Sequence, residues 1–348
     1  MEETAMSKPH DAMLWEPLEG DDKTVRCELC AHRCKIHEGK FGFCNVRQNI
    51  GGKLMTHTFD QVIACSVDPI EKKPLFHFLP GSETLSIATP GCNFRCEFCQ
   101  NWQISQTSCG VLSREADESL TPETIVALAG RRSCESISYT YTEPTIFFEL
   151  AYQTAQLGRA AGLRNCFVSN GFMTPETVQT IAPYLDAINV DLKTFRDETY
   201  HKVCSGRLKP VLNTLELLVG LGVWVEVTTL VVPGMNDSPG ELGDIAEFIA
   251  THLGTSVPWH VSRFHGSYKM QNRDATPIAT LELACKLGDR AGLKYVYCGN
   301  ATGSADESTY CPHCQTPLIE RVGFSVSSIN LKDDHCPKCN QTIEGIWN

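Results

Sequence analysis

Three cysteines, Cys92, Cys96 and Cys99, lie in the stretch Gly91-Cys92-Asn93-Phe94-Arg95-Cys96-Glu97-Phe98-Cys99-Gln100-Asn101-Trp102. Thiolates at C-x3-C-x2-C spacing can hold three corners of a cubane cluster, whereas a four-iron cluster needs four ligands. With the count one short, one iron stays open to a ligand that is not protein. An open coordination position is what separates a catalytic metal site from a structural one. A structural zinc knot is the rival reading, but an isolated triad lacks the fourth ligand that closes a tetrahedron.

Two further cysteine groups read as closed metal sites. Cys27-x2-Cys30-x3-Cys34-x9-Cys44, with Gly39 and Gly42 in its last interval, forms a compact knot. Four thiolates suit zinc and an auxiliary iron-sulfur cluster equally, so spacing does not choose between them. His32 and His37 lie inside the knot and read as solvated, because the cysteines already fill the coordination shell. Near the other end, Cys311-Pro312-His313-Cys314 and Cys336-Pro337-Lys338-Cys339 flank a short strand pair over 317–329 and read as a zinc ribbon. Cys65, Cys109, Cys134, Cys166, Cys204, Cys285 and Cys298 have no neighbour at ligand spacing and read as inert thiols.

The elements that must position the triad follow from periodicity. Apolar runs predict strands at 85–90, 136–141, 165–170, 187–192, 224–231 and 257–264, with a further one at 293–298. Helices are expected near 122–130, 145–161, 175–183, 208–221, 239–253 and 277–291. Thr121-Pro122, Thr174-Pro175, Ser238-Pro239 and Thr276-Pro277 supply start signals; Gly162, Gly222 and Gly292 supply stops. Strands alternating with helices make a parallel α/β sheet, whose sites form beyond the C-terminal strand ends. The polar residues fall there: the triad after the first strand, Glu143 after the second, Ser169 and Asn170 at the third. Asp191 and Lys193 end the fourth, and Arg263 and His265 the sixth. Asn236 and Asp237, after the fifth, are further candidate contacts.

Residues 1 to about 25 are polar or mixed, with a turn at Glu19–Lys23, and read as loosely held. Short strands are expected at Lys53–Thr56 and over 61–64, then a proline-punctuated segment, Asp68 to Phe78. Its Lys72, Lys73 and His77 read either as site-lining or as surface residues. The expected organisation is an N-terminal segment with the knot (1–80), a barrel (81–300) and the C-terminal ribbon (301–348), with a polar linker from Asn300 to Ser308.

The C-x3-C-x2-C spacing, with an aromatic residue before its third cysteine, resembles the signature of the radical S-adenosylmethionine (SAM) superfamily. The phrases Gln100-Asn101-Trp102, Tyr139-Thr140-Tyr141-Thr142-Glu143-Pro144, Asn189-Val190-Asp191-Leu192-Lys193 and Trp259-His260-Val261-Ser262-Arg263-Phe264-His265 extend the resemblance. They are similar to the AmmeMemoRadiSam enzymes, which are related to the activating enzyme of pyruvate formate-lyase. The resemblance implies a partial (β/α)6 barrel, a [4Fe-4S] cluster on Cys92, Cys96 and Cys99, and SAM on the open iron. It implies that Glu143 meets the SAM amino group, that Ser169 and Asn170 lie near the ribose, and that Asp191, Lys193 and His265 line the pocket. Arg263 would face the carboxylate of SAM or of the substrate. Asp191, Lys193 and Arg263 are thus the catalytic candidates. An external low-potential electron donor of flavodoxin or ferredoxin type is implied, and a protein substrate is a candidate partner.

Composition bounds the rest. The chain has 348 residues, 42% hydrophobic, with a formal charge of −11. That charge gives no general attraction to nucleic acid. No apolar run approaches the roughly 20 residues that span a bilayer. The N-terminus lacks a secretory pattern, so a cytoplasmic location is expected, where clustered thiols bind metals rather than form disulfides. Three readings follow: an activating enzyme for a partner's glycyl radical, a radical enzyme acting directly on a small molecule, peptide or RNA, and a non-catalytic iron-sulfur and zinc scaffold.

Overall fold

The computed structural model describes residues 9–20, 23–107, 120–299 and 307–348. Cys109, the turn residues Asp21 and Asp22, and the boundary at 300–301 with most of its linker lie outside them. At the centre is an eight-stranded sheet: β1 (Ala64–Pro69), β2 (Glu83–Ala88), β3 (Ser136–Tyr139), β4 (Arg164–Ser169), β5 (Ala187–Asp191), β6 (Trp224–Val231), β7 (Trp259–Arg263) and β8 (Val296–Gly299). Spatial order equals chain order. From β2 to β8 every pairing is parallel, and β1 is antiparallel to β2.

Sequential order arises when each crossover helix returns the chain to the next position on the same side. The helices are α1 (Pro122–Arg131), α2 (Phe148–Ala160), α3 (Pro175–Ile181), α4 (Leu208–Gly220), α5 (Pro239–Phe248) and α6 (Ile278–Ala291). Thr121, Thr174 and Ser238 cap α1, α3 and α5 by accepting from backbone N–H groups three residues on. Thr276 does not cap α6. Its hydroxyl accepts from Phe264 N and donates to the Val231 carbonyl, tying loop ends together, so the helix begins after Pro277.

Strand interiors are apolar because both faces are covered. Val225, Val227, Trp259 and Val261 are buried, and Trp259 Nε1 donates to Thr229 Oγ1 at 3.0 Å. The sheet curls into an open barrel, since residues from β4 through β8 and from the segment after β1 line one cavity. Among the described residues β1 and β8 do not pair with each other.

The gap between them is closed from the C-terminus. Phe76, Tyr295 and Tyr297 share an apolar cluster with Cys311, Leu318, Ile319, Cys336 and Ile343. Phe78 forms a bridge with Ile346, whose N–H donates to the His77 carbonyl and whose carbonyl accepts from Leu79 N, each at 2.7 Å. The ribbon strands Thr309–Tyr310, Pro317–Val322 and Ser325–Ile329 form an antiparallel sheet.

The N-terminal segment is better ordered than its composition suggests. Trp15–Pro17, Val25–Cys27 and Lys35–Ile36 form one three-stranded sheet; His10–Asp11, Lys53–Thr56 and Arg47–Ile50 form another. Pairing across the turn, rather than apolar content, holds residues 9–20. The strand expected over 61–64 instead runs Ala64–Pro69, its proline at the strand end where the lost donor costs least.

Candidate active site

A cavity of about 460 Å³ occupies the barrel interior at the C-terminal strand ends. Cys92, Cys96 and Cys99 line it, together with Glu143, Ser169, Asn170, Asp191 and Lys193. The triad loop is held from several sides. Phe94 N donates to Cys92 Sγ at 3.3 Å, and Cys99 Sγ and Ser105 Oγ lie 3.2 Å apart. Arg95 N and Glu97 N donate to the carbonyls of Cys204 and Val203, in a π-helical turn between β5 and α4. Gly206, just after that turn, lies flat against Phe94: a Cβ there would stand 2.5 Å from the ring.

The three thiols suit a cluster. Burial pushes Cys92 and Cys99 above the ordinary thiol range; for Cys96 the hydrogen bond with Cys204 acts first and burial second. Thiolates can persist in such a pocket when a metal centre replaces their protons. Cys204 is fully buried beside Cys96 and does not line the cavity. Among the described residues, three thiols therefore face the interior.

Glu143 is the hub of a polar mesh. Its Oε1 accepts from Thr145 N (3.0 Å), Thr145 Oγ1 (2.6 Å) and Ser169 Oγ (2.8 Å), and its Oε2 from Asn170 N (2.8 Å). Burial raises its carboxyl above the usual range, while these donors pull the other way. Asn170 Nδ2 continues to Asn93 Oδ1 at 2.7 Å, linking the ends of β3 and β4 to the triad loop. Asp191 and Lys193 form an ion pair at 2.9 Å, and Lys193 Nζ lies 5.8 Å from the Phe98 ring centre. The pair and the loop after β6 are pinned together. Asn236 Nδ2 donates to the carbonyls of Lys193 and Leu230, so Asn236 is a buried brace rather than a cavity contact. Asp237 caps the turn by accepting from Gly234 N.

Residues 86–249 match the family model described as the radical SAM superfamily. Over 336 residues, 96% of this chain and 98% of the relative, the sequence is 45% identical to an uncharacterized protein of Methanocaldococcus jannaschii. The chain belongs to the radical SAM superfamily. It is also 27% identical over 165 residues to the benzylsuccinate synthase activating enzyme of Thauera aromatica, 42% of this chain and 49% of that enzyme. The fold is similar to that of a radical SAM methyltransferase from Sphaerobacter thermophilus, with TM-score 0.50 and 15% identity over 64% of this chain and 68% of that one. Membership of the radical SAM superfamily implies a [4Fe-4S] cluster and SAM. No helix among the described residues is long and apolar enough to cross a membrane.

Two residues expected in the radical SAM pocket stand outside it. Arg263 shares the strand parity of Trp259 and Val261, and its Nε donates to the Thr276 carbonyl at 2.8 Å. His265, two residues beyond β7, is exposed. The cavity is lined instead by His260 and Ser262, on the opposite parity of the same strand. Alternation along Trp259–Arg263 was the signal that could have identified them. His260 Nε2 meets Glu226 Oε2 at 2.7 Å, and Glu226 also accepts from Phe76 N, His77 N and Trp224 Nε1. Asn93 and Cys204 carried no signal in spacing; they meet the site only through the fold.

The N-terminal cysteines back the triad directly. His32 is half-buried, not solvated, with Nε2 2.7 Å from the Asn93 carbonyl and its ring between Phe43 and Phe172. His37 is exposed. The Arg95 guanidinium lies over Phe43, 4.6 Å from the ring centre. At Gly91, φ is +95°, and a Cβ would stand 2.8 Å from Val46 Cγ1 and 3.1 Å from the Cys44 carbonyl. Arg47, fully buried, pairs with Glu149 at 3.0 Å, yet its Nε and Nη1 have no protein partner. Unmatched buried cationic donors near Cys27 and Cys44 suit a thiolate-bound metal of net negative charge.

At the other end Cys311, Cys314, Cys336 and Cys339 bring their sulfurs within 4.8 Å of one another, as one tetrahedral ion requires. Among the described residues no other set of metal-binding side chains converges so closely. Of the cysteines read as inert, Cys285 on α6 and Cys298 on β8 are joined as a disulfide, because the helix packs on that strand.

Proposed function

We propose that the protein removes a hydrogen atom from an organic substrate held in the barrel cavity, with Cys92, Cys96 and Cys99 as cluster ligands. The observation that carries this reading is a cavity faced, among the described residues, by three thiols and no fourth. Bound there, cluster and SAM together supply one-electron cleavage of the sulfonium and a 5'-deoxyadenosyl radical as hydrogen acceptor. The chain's own groups bind, orient and shield. Glu143, Ser169 and Asn170 present a rigid polar edge to the amino group and ribose of SAM. The Asp191–Lys193 pair sits beside the triad and meets the rest of the nucleoside or the substrate. Phe94, Phe98, Val168 and Leu230 give the cavity apolar walls that keep water from a reactive carbon centre.

An external low-potential donor would supply the electron. We assign zinc to the C-terminal ribbon, and zinc or an auxiliary iron-sulfur cluster to Cys27, Cys30, Cys34 and Cys44. The substrate reading divides in two. Likeness to an activating enzyme supports a glycyl residue of a partner protein. The polar cavity interior, with Lys73, Tyr141, Thr228 and His260, favours direct modification of a small molecule.

Anaerobic protein with a reconstituted cluster, given dithionite and SAM, should form 5'-deoxyadenosine. A full cluster with no such product would leave only the scaffold reading. A glycyl-radical doublet on a partner protein, seen by electron paramagnetic resonance, would select activation. A labelled small product without that doublet would select direct modification.

A further inference from the structure

One stretch of the barrel wall gathers two ammoniums around a single carboxylate. Asp68, on β1, accepts hydrogen bonds from Lys72 Nζ and Lys73 Nζ, each at 2.7 Å, and from the Tyr141 hydroxyl. Two ammoniums share one carboxylate, which leaves one positive charge over. The neighbouring carboxylates bond to other groups. Glu71 is matched by Arg321 at 3.5 Å, and Glu226 faces His260 and the backbone donors of Phe76 and His77. The Cys166 thiol near Lys73 is pushed up to about 12 by burial and stays neutral. Glu307 lines the cavity too, but its carboxylate lies against Gly299 on the last strand.

Lys72 is half-exposed and its charge is shared with solvent, whereas Lys73 is enclosed. The Lys73 side chain is 2% exposed, and its Nζ lies 4.6 Å from the Tyr141 ring centre. An ammonium has three N–H donors, and here one carboxylate oxygen and one ring face meet them. Holding an incompletely paired cation away from water is costly unless an anion arrives to share it. Lys72, Lys73 and Tyr141 all line the cavity. Tyr141 is also held in the left-handed region, φ +62°, with its carbonyl fixed by Asn101 Nδ2 at 2.8 Å. Such backbone conformations in side-chain-bearing residues concentrate at binding sites.

We propose that Lys72, Lys73 and Tyr141 form an anion-binding subsite that takes a carboxylate or phosphate group of the substrate. The subsite rests on reading the cavity as the substrate chamber. An anion there would draw the free N–H donors of Lys73 while Asp68 stays paired with Lys72 and Tyr141. Bound there, one end of a small acidic molecule would be held in the same cavity that the three cysteines line.

The test uses the full chain and three probes at equal ionic strength: inorganic phosphate, acetate and chloride. Thermal unfolding should shift upward with phosphate or acetate more than with chloride, and the stronger of the two names the anion class. Lys73→Met should weaken that binding by about tenfold or more, as expected for loss of a charge-assisted hydrogen bond. Lys53→Met, on an exposed N-terminal strand, serves as the control. Without added anion, Lys73→Met should melt no lower than wild type, because Asp68 keeps two partners and the surplus charge is gone. Equal shifts with all three salts would overturn the subsite, as would equal shifts in wild type and Lys73→Met. A large loss of stability in the variant without anion would instead make Lys73 a structural ion-pair partner. Formation of 5'-deoxyadenosine by wild-type protein tests the radical reading separately, so the failure of one is not mistaken for failure of the other.

Discussion

The ribbon's attachment to the barrel should be pH-sensitive, and one histidine sets the range. His77 is fully buried; its Nδ1 lies 2.7 Å from the Glu344 carbonyl and its Nε2 2.7 Å from the Tyr297 hydroxyl. A carbonyl only accepts, so Nδ1 carries the proton and Nε2 accepts from Tyr297. Burial pushes this imidazole down from 6.5 to about 4. Between those values the unfolded chain binds a proton that the folded chain refuses, so stability falls as pH falls. The full loss, reached below the folded value, is about 3 kcal/mol from a shift of roughly 2.5 units. Between pH 7 and pH 5 the same linkage gives about 2 kcal/mol. His77→Gln keeps a donor and an acceptor but does not titrate, so the difference between the two proteins isolates this group. Urea unfolding followed by fluorescence of Trp347, whose ring centre is 5.4 Å from that of His77, should show the wild-type advantage shrinking by that amount. Parallel stability curves from pH 7 to pH 5 would refute the reasoning.

Other outcomes follow from the site. Cys96→Ala should abolish the iron signal of the reconstituted barrel cluster, whereas Cys204→Ala should retain it; equal loss in both, measured as iron and sulfide content, would make Cys204 a ligand. Gly206→Ala drives a methyl group into Phe94, so cluster loading should fall and stability should drop by about 1–3 kcal/mol, read by absorbance and denaturant midpoint. Arg321→Met leaves Glu71 buried without its partner, at a cost of about 3–5 kcal/mol, and Glu71→Gln in the same chain should recover much of it. Calorimetry of the single and double variants checks that pair.

Most of the barrel was legible because its signals are local. A capping hydroxyl before proline started three helices, and apolar runs bounded by glycine gave the parallel strands in order. What escaped notice depends on contacts between distant segments. Ala64–Pro69 has too little apolar alternation to announce an edge strand; it forms because β2 offers it a full ladder. Arg263 looked like a site residue because it ends a strand, but strand parity points it with Trp259 and Val261. Lys73 reads in sequence either as site-lining or as a surface residue, and its interior place is set only when Asp68 and Tyr141 fold around it. The proximity of Cys204 to Cys96 comes from a π-helical turn that no spacing rule reveals.

The close approach of Val46 and the Cys44 carbonyl to Gly91 bears on biogenesis. No gap is left there, so the catalytic loop can settle only against a finished N-terminal module. Assembly would then be ordered in time: the segment that carries the first four cysteines folds first, and the triad loop settles on it afterwards. Protein whose first module failed to fold would then carry a triad intact in sequence and idle in practice.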